Sequence, residues 1–347
     1  YGYNTSVKAN NTTLITNTFN TQKGLLTSST YGNGASVQML YDRQDRLTTK
    51  KLNNADAFKY FYDNEGKLTD YQDLVNNNNV NYSYNLLGML TGLINTNGLS
   101  FRMTYDKYNR VDSYASTLFG RTYKTRYIYG DPTKYGEKAD FVYGVERDGV
   151  RKISYAYDGF GRLTSTLLNN VETDFTYLDG SGNNTTTFLQ SMQTGSGTRF
   201  SYTYDELGNI TTIAENGVEK DRFYYDDLNQ MTRHDSIKQN RTYVWSYSGG
   251  NILNKKEYEL TSSTPTNLLN TITYGYNGDK LTTFNGDSIT YDNIGNPLSY
   301  RGGMTFTWQN GRQLATAELA REGLTDVFRY KYNEAAIRTE KNVNGVI

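Results

Sequence analysis

The chain contains no cysteine, which removes disulfides, thiol nucleophiles and thiolate metal sites. It has one histidine, His234. A zinc site would need partners this residue lacks, and a serine–histidine–aspartate triad would have to use it as the base. No Gly-x-Ser-x-Gly context supports such a triad. Among 347 residues, 36 are basic and 36 acidic. Zero net charge without a basic run argues against the electrostatic footprint of a nucleic-acid partner. No apolar stretch approaches the ~18 residues of a membrane span, and no signal peptide is visible. Prolines number only three.

What is present points to strands and turns. A mean hydropathy of −0.73 would by itself suggest disorder. Disorder, however, goes with few aromatics and high net charge. Here aromatics are 14%, with 33 tyrosines, and the charge is balanced. Tyrosine and threonine favour pleated surfaces, and asparagine and glycine favour turns.

The chain repeats itself. Tyr-Asp-x-x-Gly-x-Leu-Thr occurs most clearly at Tyr62-Asp63-x-x-Gly66, Tyr157-Asp158-x-x-Gly161 and Tyr204-Asp205-x-x-Gly208. Looser copies begin at Tyr41-Asp42, Tyr84 (with Gly88), Tyr105-Asp106, Tyr225-Asp226, Tyr247, Tyr276, Tyr291-Asp292 (with Gly295), Trp308 and Tyr332. Steps from Phe19 through Tyr41, Tyr62 and Tyr84 to Tyr105 are 22, 21, 22 and 21, and those from Tyr204 through Tyr225 to Tyr247 are 21 and 22. A fixed period of this kind marks a repeat architecture.

Each part of the motif has a physical reason. Residues before the tyrosine alternate, as in Ser201-Tyr202-Thr203-Tyr204, the period of a strand. Asp205 can accept the backbone N–H two residues on and close an Asx-turn. Gly208 supplies the positive φ of a tight return. Ile210 then faces Tyr204 across the ladder, a pair contributing roughly 0.2–1 kcal/mol. A second turn closes the repeat: Asn216-Gly217, with Asn97-Gly98, Asp148-Gly149 and Asn285-Gly286 in comparable places, predicts type I′ hairpins.

These readings predict an all-β fold of tandem antiparallel hairpin repeats forming a curled or spiralling β-ribbon. Residues 1–347 read as a single continuous array of about twelve repeats. Loop insertions are expected near 130–144, 178–198, 258–270 and 313–323, and Gln313 to Arg321 is expected to form a helical turn or two. About 24 strands at ~4.8 Å each would span on the order of 115 Å flat, too many for an open sheet that does not curl.

The motif resembles the YD repeat, also called the RHS repeat. That family includes bacterial Rhs polymorphic toxins, wall-associated YD proteins, Tc-toxin components that encapsulate a toxic C-terminal region, and the animal teneurins. The resemblance covers essentially the whole chain. It implies a ribbon wound into a hollow shell, and a secreted or cell-surface bacterial protein. The implied role is a non-enzymatic structural shell segment that encloses or displays a C-terminal cargo domain in cis. Its partners would be the remainder of the parent shell and that cargo. A carbohydrate- or protein-binding adhesin module, with cell-wall carbohydrate as partner, is the alternative. Toxin-bearing members carry a self-cleaving core after the repeats. No such segment appears before Ile347, so the chain reads as a fragment of something longer, and autoproteolysis of a parent protein is not assigned to any residue of it. Ala336 stands where the repeat wants glycine.

No catalytic, metal or cofactor residue is expected. The recurring carboxylates Asp42, Asp63, Asp106, Asp158, Asp205, Asp226 and Asp292 could in principle hydrolyse glycosides or bind calcium. Their turn positions explain them without chemistry, because they recur at every repeat whereas an active site needs one special constellation. Asp179-Gly180-Ser181-Gly182-Asn183 resembles half a calcium loop but lacks the final glutamate, which is Gln190. The Tyr rows could stack on sugars but are expected to be ladder packing.

Overall fold

The computed structural model describes residues 2–9, 11–131, 133–134, 136–180, 184–321 and 323–347. Among the described residues there are 31 strands and one three-residue helical turn, Arg301–Gly303. The fold is all-β, as the repeat predicts. Two compact units are present. One comprises Tyr1–Arg102, Thr117–Arg121 and Gly275–Ile347, the other Met103–Ser116 and Thr122–Tyr274.

In the second unit the meander is regular. The strands Arg199–Tyr204, Ile210–Glu215, Val218–Tyr225, Met231–Ser236, Arg241–Ser248 and Asn251–Glu259 pair consecutively and antiparallel. In the first unit Ser36–Tyr41, Leu47–Leu52, Ala55–Tyr62, Leu68–Asp73, Asn78–Tyr84 and Leu90–Asn95 do the same. That unit also holds a separate five-stranded sheet, Ser299–Tyr300, Met304–Gln309, Gln313–Arg321, Leu324–Tyr332 and Arg338–Val343.

Two-residue periodicity decides which side chains are covered. Along Asn78–Tyr84 the half-buried positions are Asn78, Val80, Tyr82 and Tyr84, and the intervening ones are exposed. Full burial is rare. The buried apolar residues are Ala57, Phe58, Ile289 and Ile294, and several of the buried polar ones are small hydroxyls such as Ser113, Thr125, Ser191 and Thr242. Rings packed side by side across strands therefore carry much of the cohesion, for example Phe188 on Tyr204 (centroids 5.0 Å apart) and Phe141 on Tyr157 (4.9 Å).

Three local expectations are corrected. Gln313–Arg321 is not helical but a nine-residue strand, paired on both sides. Its Leu-Ala-Thr-Ala-Glu-Leu-Ala composition suits a helix, but two neighbouring ladders override that weak preference. The expected loop from Leu178 to Thr198 is largely the ten-residue strand Thr185–Thr194, paired with Val171–Asp179 and Arg199–Tyr204. β-branched threonines there fit a pleated surface despite their polarity. Asn97-Gly98 is not a type I′ pair; only Gly98 has positive φ, and Asn95 Oδ1 closes the turn by accepting Asn97 N–H and Leu99 N–H. Among the described residues, strand is absent between Tyr129 and Val142 and between Glu259 and Leu268. Ser181, Gly182 and Asn183 of the calcium-like stretch lie outside the described residues.

Candidate functional site

The Tyr-Asp constellation recurs with nearly fixed geometry. Each pairing slips by one residue just before the tyrosine, so that Tyr41 faces Leu47, Tyr62 faces Leu68, Tyr84 faces Leu90, Tyr157 faces Leu163, Tyr204 faces Ile210 and Tyr225 faces Met231. The slip is a β-bulge, which bends the strand and strengthens its twist.

The aspartate closes the turn with both oxygens. Asp158 Oδ1 accepts Phe160 N–H and Arg162 N–H at 2.9 Å each, and Oδ2 accepts Arg162 Nε. Asp205 accepts Leu207 N–H, Asn209 N–H and Asn209 Nδ2. Asp42, Asp106 and Asp292 make the same pattern. Asp63 and Asp226 accept the two backbone donors, as Asn85 does beside Gly88. Gly66, Gly88, Gly161, Gly208 and Gly295 all have φ between 78° and 87°. Where glycine is missing, Asp45, Asn109 and Asn229 take that conformation at φ 64°, 64° and 60°, the residue types that tolerate it best.

These bonds fix the charge state. The Arg46 N–H, against some burial, and the Arg46 side chain hold the Asp42 carboxyl below its ordinary range. The Asn209 side chain does the same for Asp205. At Asp106, Asp158 and Asp292 burial pushes upward, yet the turn donors outweigh it and the carboxyl lies low.

The tyrosine acts between repeats. Tyr41 Oη donates to Leu26 O at 2.8 Å, Tyr62 to Leu47 at 2.9 Å, Tyr84 to Leu68 at 2.8 Å, and Tyr157 to Val142 at 3.0 Å. Tyr204 donates to Leu189 at 2.7 Å, Tyr225 to Ile210 at 2.8 Å, and Tyr247 to Met231 at 2.7 Å. Tyr291 donates to Leu281 O. Tyr105 ends the strand Ser100–Tyr105. Trp308 replaces the phenol with an indole, whose N–H reaches Pro297 O at 2.7 Å. The acceptor in most copies is the carbonyl of the aliphatic residue that closes the preceding motif. In these copies the motif tyrosine is thus a staple from one repeat to the one before. Burial pushes the phenols of Tyr41, Tyr62, Tyr157, Tyr204, Tyr225, Tyr247 and Tyr291 above their ordinary range.

Two further features were missed in the sequence. The arginine four residues after the aspartate lies over the ring of the next tyrosine bonded back to the motif's aliphatic carbonyl: Arg46 over Tyr62 (4.7 Å), Arg110 over Tyr129 (4.0 Å), which donates to Val111 O, and Arg162 over Tyr177 (4.5 Å), which donates to Leu163 O. The signal was the arginine recurring just before the motif's aliphatic residue. Second, the type I′ asparagines clamp a strand two elements back. Asn216 N–H donates to Arg199 O while its Oδ1 accepts Arg199 N–H, each at 2.8 Å; Asn53 and Ser36 do likewise. Asn216-Gly217, Asp148-Gly149 and Asn285-Gly286 have positive φ at both residues, as expected of that turn.

The motif carboxylates are thus each occupied by donors of their own turn. Among the described residues no group of three or more His, Asp or Glu could hold a metal ion. His234 Nε2 lies 2.7 Å from Asp221 Oδ1, with its ring stacked on Phe223 (4.6 Å) and near Tyr243 (5.8 Å). Among the described residues no helix is long and apolar enough to cross a membrane.

No family model matches the chain, and no curated protein matches it. Solved structures do match. The chain superposes on the crystal structure of TcdB2–TccC3 with a TM-score of 0.75 at 14% identity, covering 95% of this chain and 20% of that one. The crystal structure of TcdB2–TccC3–Cdc42 gives 0.74 at 14% identity, over 95% and 19%. A Photorhabdus luminescens Tc holotoxin pore with a variant TccC3 gives 0.74 at 15%, over 94% and 19%. This chain spans about a fifth of the length of those chains. At this identity the likeness is one of fold, and it is the fold that the Tyr-Asp repeat implied.

Proposed function

We propose that the chain is a non-enzymatic wall segment of a larger shell, enclosing or displaying a C-terminal cargo domain of the same secreted or cell-surface bacterial protein. The observation that carries this reading is the staple: nearly the same tyrosine-to-carbonyl bond joins one repeat to the last along the chain. Uniform joints make a wall, whereas catalysis needs one set of groups unlike the rest. The likeness to Tc-toxin structures supports the same reading. The repeat motif residues, from Tyr41-Asp42 to Tyr291-Asp292-Gly295, are then joints of one continuous array.

The test is protease protection in the full-length parent protein. The region downstream of the repeats is expected to resist a broad protease while the shell is intact and to be cleaved once staples are removed. Cleavage at equal rates in both would refute containment. A second reading, display to carbohydrate, is favoured by one tyrosine-lined cleft in the first unit.

A further inference from the structure

In the first unit the turn from Asn333 to Ile337 lies against the tyrosine-bearing face of the strands Ala55–Tyr62, Leu68–Asp73 and Asn78–Tyr84. Lys50 Nζ meets Glu334 O at 3.1 Å and Glu334 Oε1 at 3.3 Å. Asn76 Nδ2 donates to Tyr332 O, and Thr339 Oγ1 donates to Asn76 Oδ1, each at 3.0 Å. Between turn and sheet lies a half-open cavity of about 520 Å³, lined by Tyr60, Tyr71, Tyr82, Asn78, Asn97 and Glu334 among others. That is within the ~300–1,000 Å³ of small-molecule sites.

Three observations set this cavity apart. The hydroxyls of Tyr60 and Tyr71, neither of them a motif tyrosine, are buried and make no well-aligned hydrogen bond, with Glu334 near both. Leaving buried hydroxyls unpaired is costly; of the three such hydroxyls among the described residues, on Tyr60, Tyr71 and Ser246, two line this cavity. Burial first, then the nearby Glu334 carboxylate, holds the Tyr60 phenol far above its ordinary range, without a well-aligned bond between them. The covering turn also departs from the repeat at both positions, with Asn333 for aspartate and, in the glycine position, Ala336 at φ 59°. Strain of this kind collects at binding sites.

The chemistry selects the ligand class. Glu334 is paired with Lys50, and Asp73 accepts both Asn76 N–H and Asn76 Nδ2. With both carboxylates engaged, the cavity offers phenols, amides and aromatic surface rather than a free charge. We propose that this cleft binds a neutral, hydroxyl-rich ligand, a saccharide unit, whose hydroxyls pair with Tyr60 Oη and Tyr71 Oη. This deepens the display reading and does not depend on containment.

The test is a glycan array followed by calorimetric titration of the chain with the oligosaccharides that bind, and with choline as a cationic probe. At least one neutral oligosaccharide is expected to bind. The double variant Tyr60→Phe/Tyr71→Phe should lose about tenfold in affinity or more, yet unfold no more easily than the parent. The staple variant Tyr204→Phe should bind unchanged. No binding on the array, binding that survives the double variant, or binding of choline alone would each overturn the proposal. None of these outcomes bears on protease protection, so the two readings fail separately.

Discussion

Compare the turn at Asp205 with the turn at Asn333. In the first, one carboxylate gathers three donors, Gly208 sits at φ 87°, and the tip is a regular member of the array. In the second, Asn333 Oδ1 accepts only Ile337 N–H, at 2.9 Å, and Ala336 is held at φ 59°. The first turn is closed by its own atoms. The second makes the same two backbone bonds, Asn333 N–H to Ile337 O and Ala336 N–H to Asn333 O, and is held in addition by Lys50 and Asn76 from far along the chain. At Asp205 the donors to the side chain are all local, whereas the turn that lacks both the aspartate and the glycine adds contacts from residues far along the chain.

Acid should separate the two most. Several motif carboxylates are held low in the folded state. A lowered folded value contributes stability above the ordinary aspartate range of about 4, and that stability is lost as pH falls through the folded value. The urea midpoint is expected to fall steeply below about pH 4, with the meander melting first. The raised phenols have the opposite sign: their contribution is complete below about pH 10 and lost as pH rises beyond it. Circular dichroism against pH checks both limbs; a flat acid limb would contradict the closed-turn account.

Next in size is a single deletion. Asp292 accepts Ile294 N–H, Asn296 N–H and Nδ2, and Asn33 Nδ2, and Ile294 and Asn296 are buried. Asp292→Ala leaves buried donors unpaired and should cost about 2–3 kcal/mol in urea unfolding. Asn333→Ala removes one bond at a more open turn and should cost under about 1 kcal/mol. Equal costs would erase the contrast. Smaller again is Tyr204→Phe, which removes the 2.7 Å bond to Leu189 O and should cost about 1 kcal/mol.

Much of this was legible in the sequence, because period and turn chemistry are local. Tyr-Asp-x-x-Gly specifies an Asx-turn and a left-handed residue without help from the rest of the chain, and Asn216-Gly217 specifies its hairpin. What stayed hidden was long-range. Why the motif wants tyrosine rather than phenylalanine appears only when Tyr62 Oη reaches Leu47 O in the preceding repeat. Gln313–Arg321 looked helical because its two partner strands were unknown. The cleft was hidden for the same reason: Tyr60 and Glu334 are brought together by packing that no local pattern encodes.

The finest test of the comparison is Ala336→Gly. Alanine in the left-handed region costs about 1–2 kcal/mol, and replacing it with glycine relieves that strain. Glycine also loosens the unfolded chain, which returns about 0.4–1 kcal/mol of the gain. A net stabilisation of about 0.5 kcal/mol is expected, small enough to need urea curves fitted with a shared slope. The sign carries the argument. Stabilisation would show that the last turn holds strain its packing tolerates. Destabilisation would mean that the alanine methyl is itself a packing contact, and that the turn at Asn333 is no less self-sufficient than the turn at Asp205.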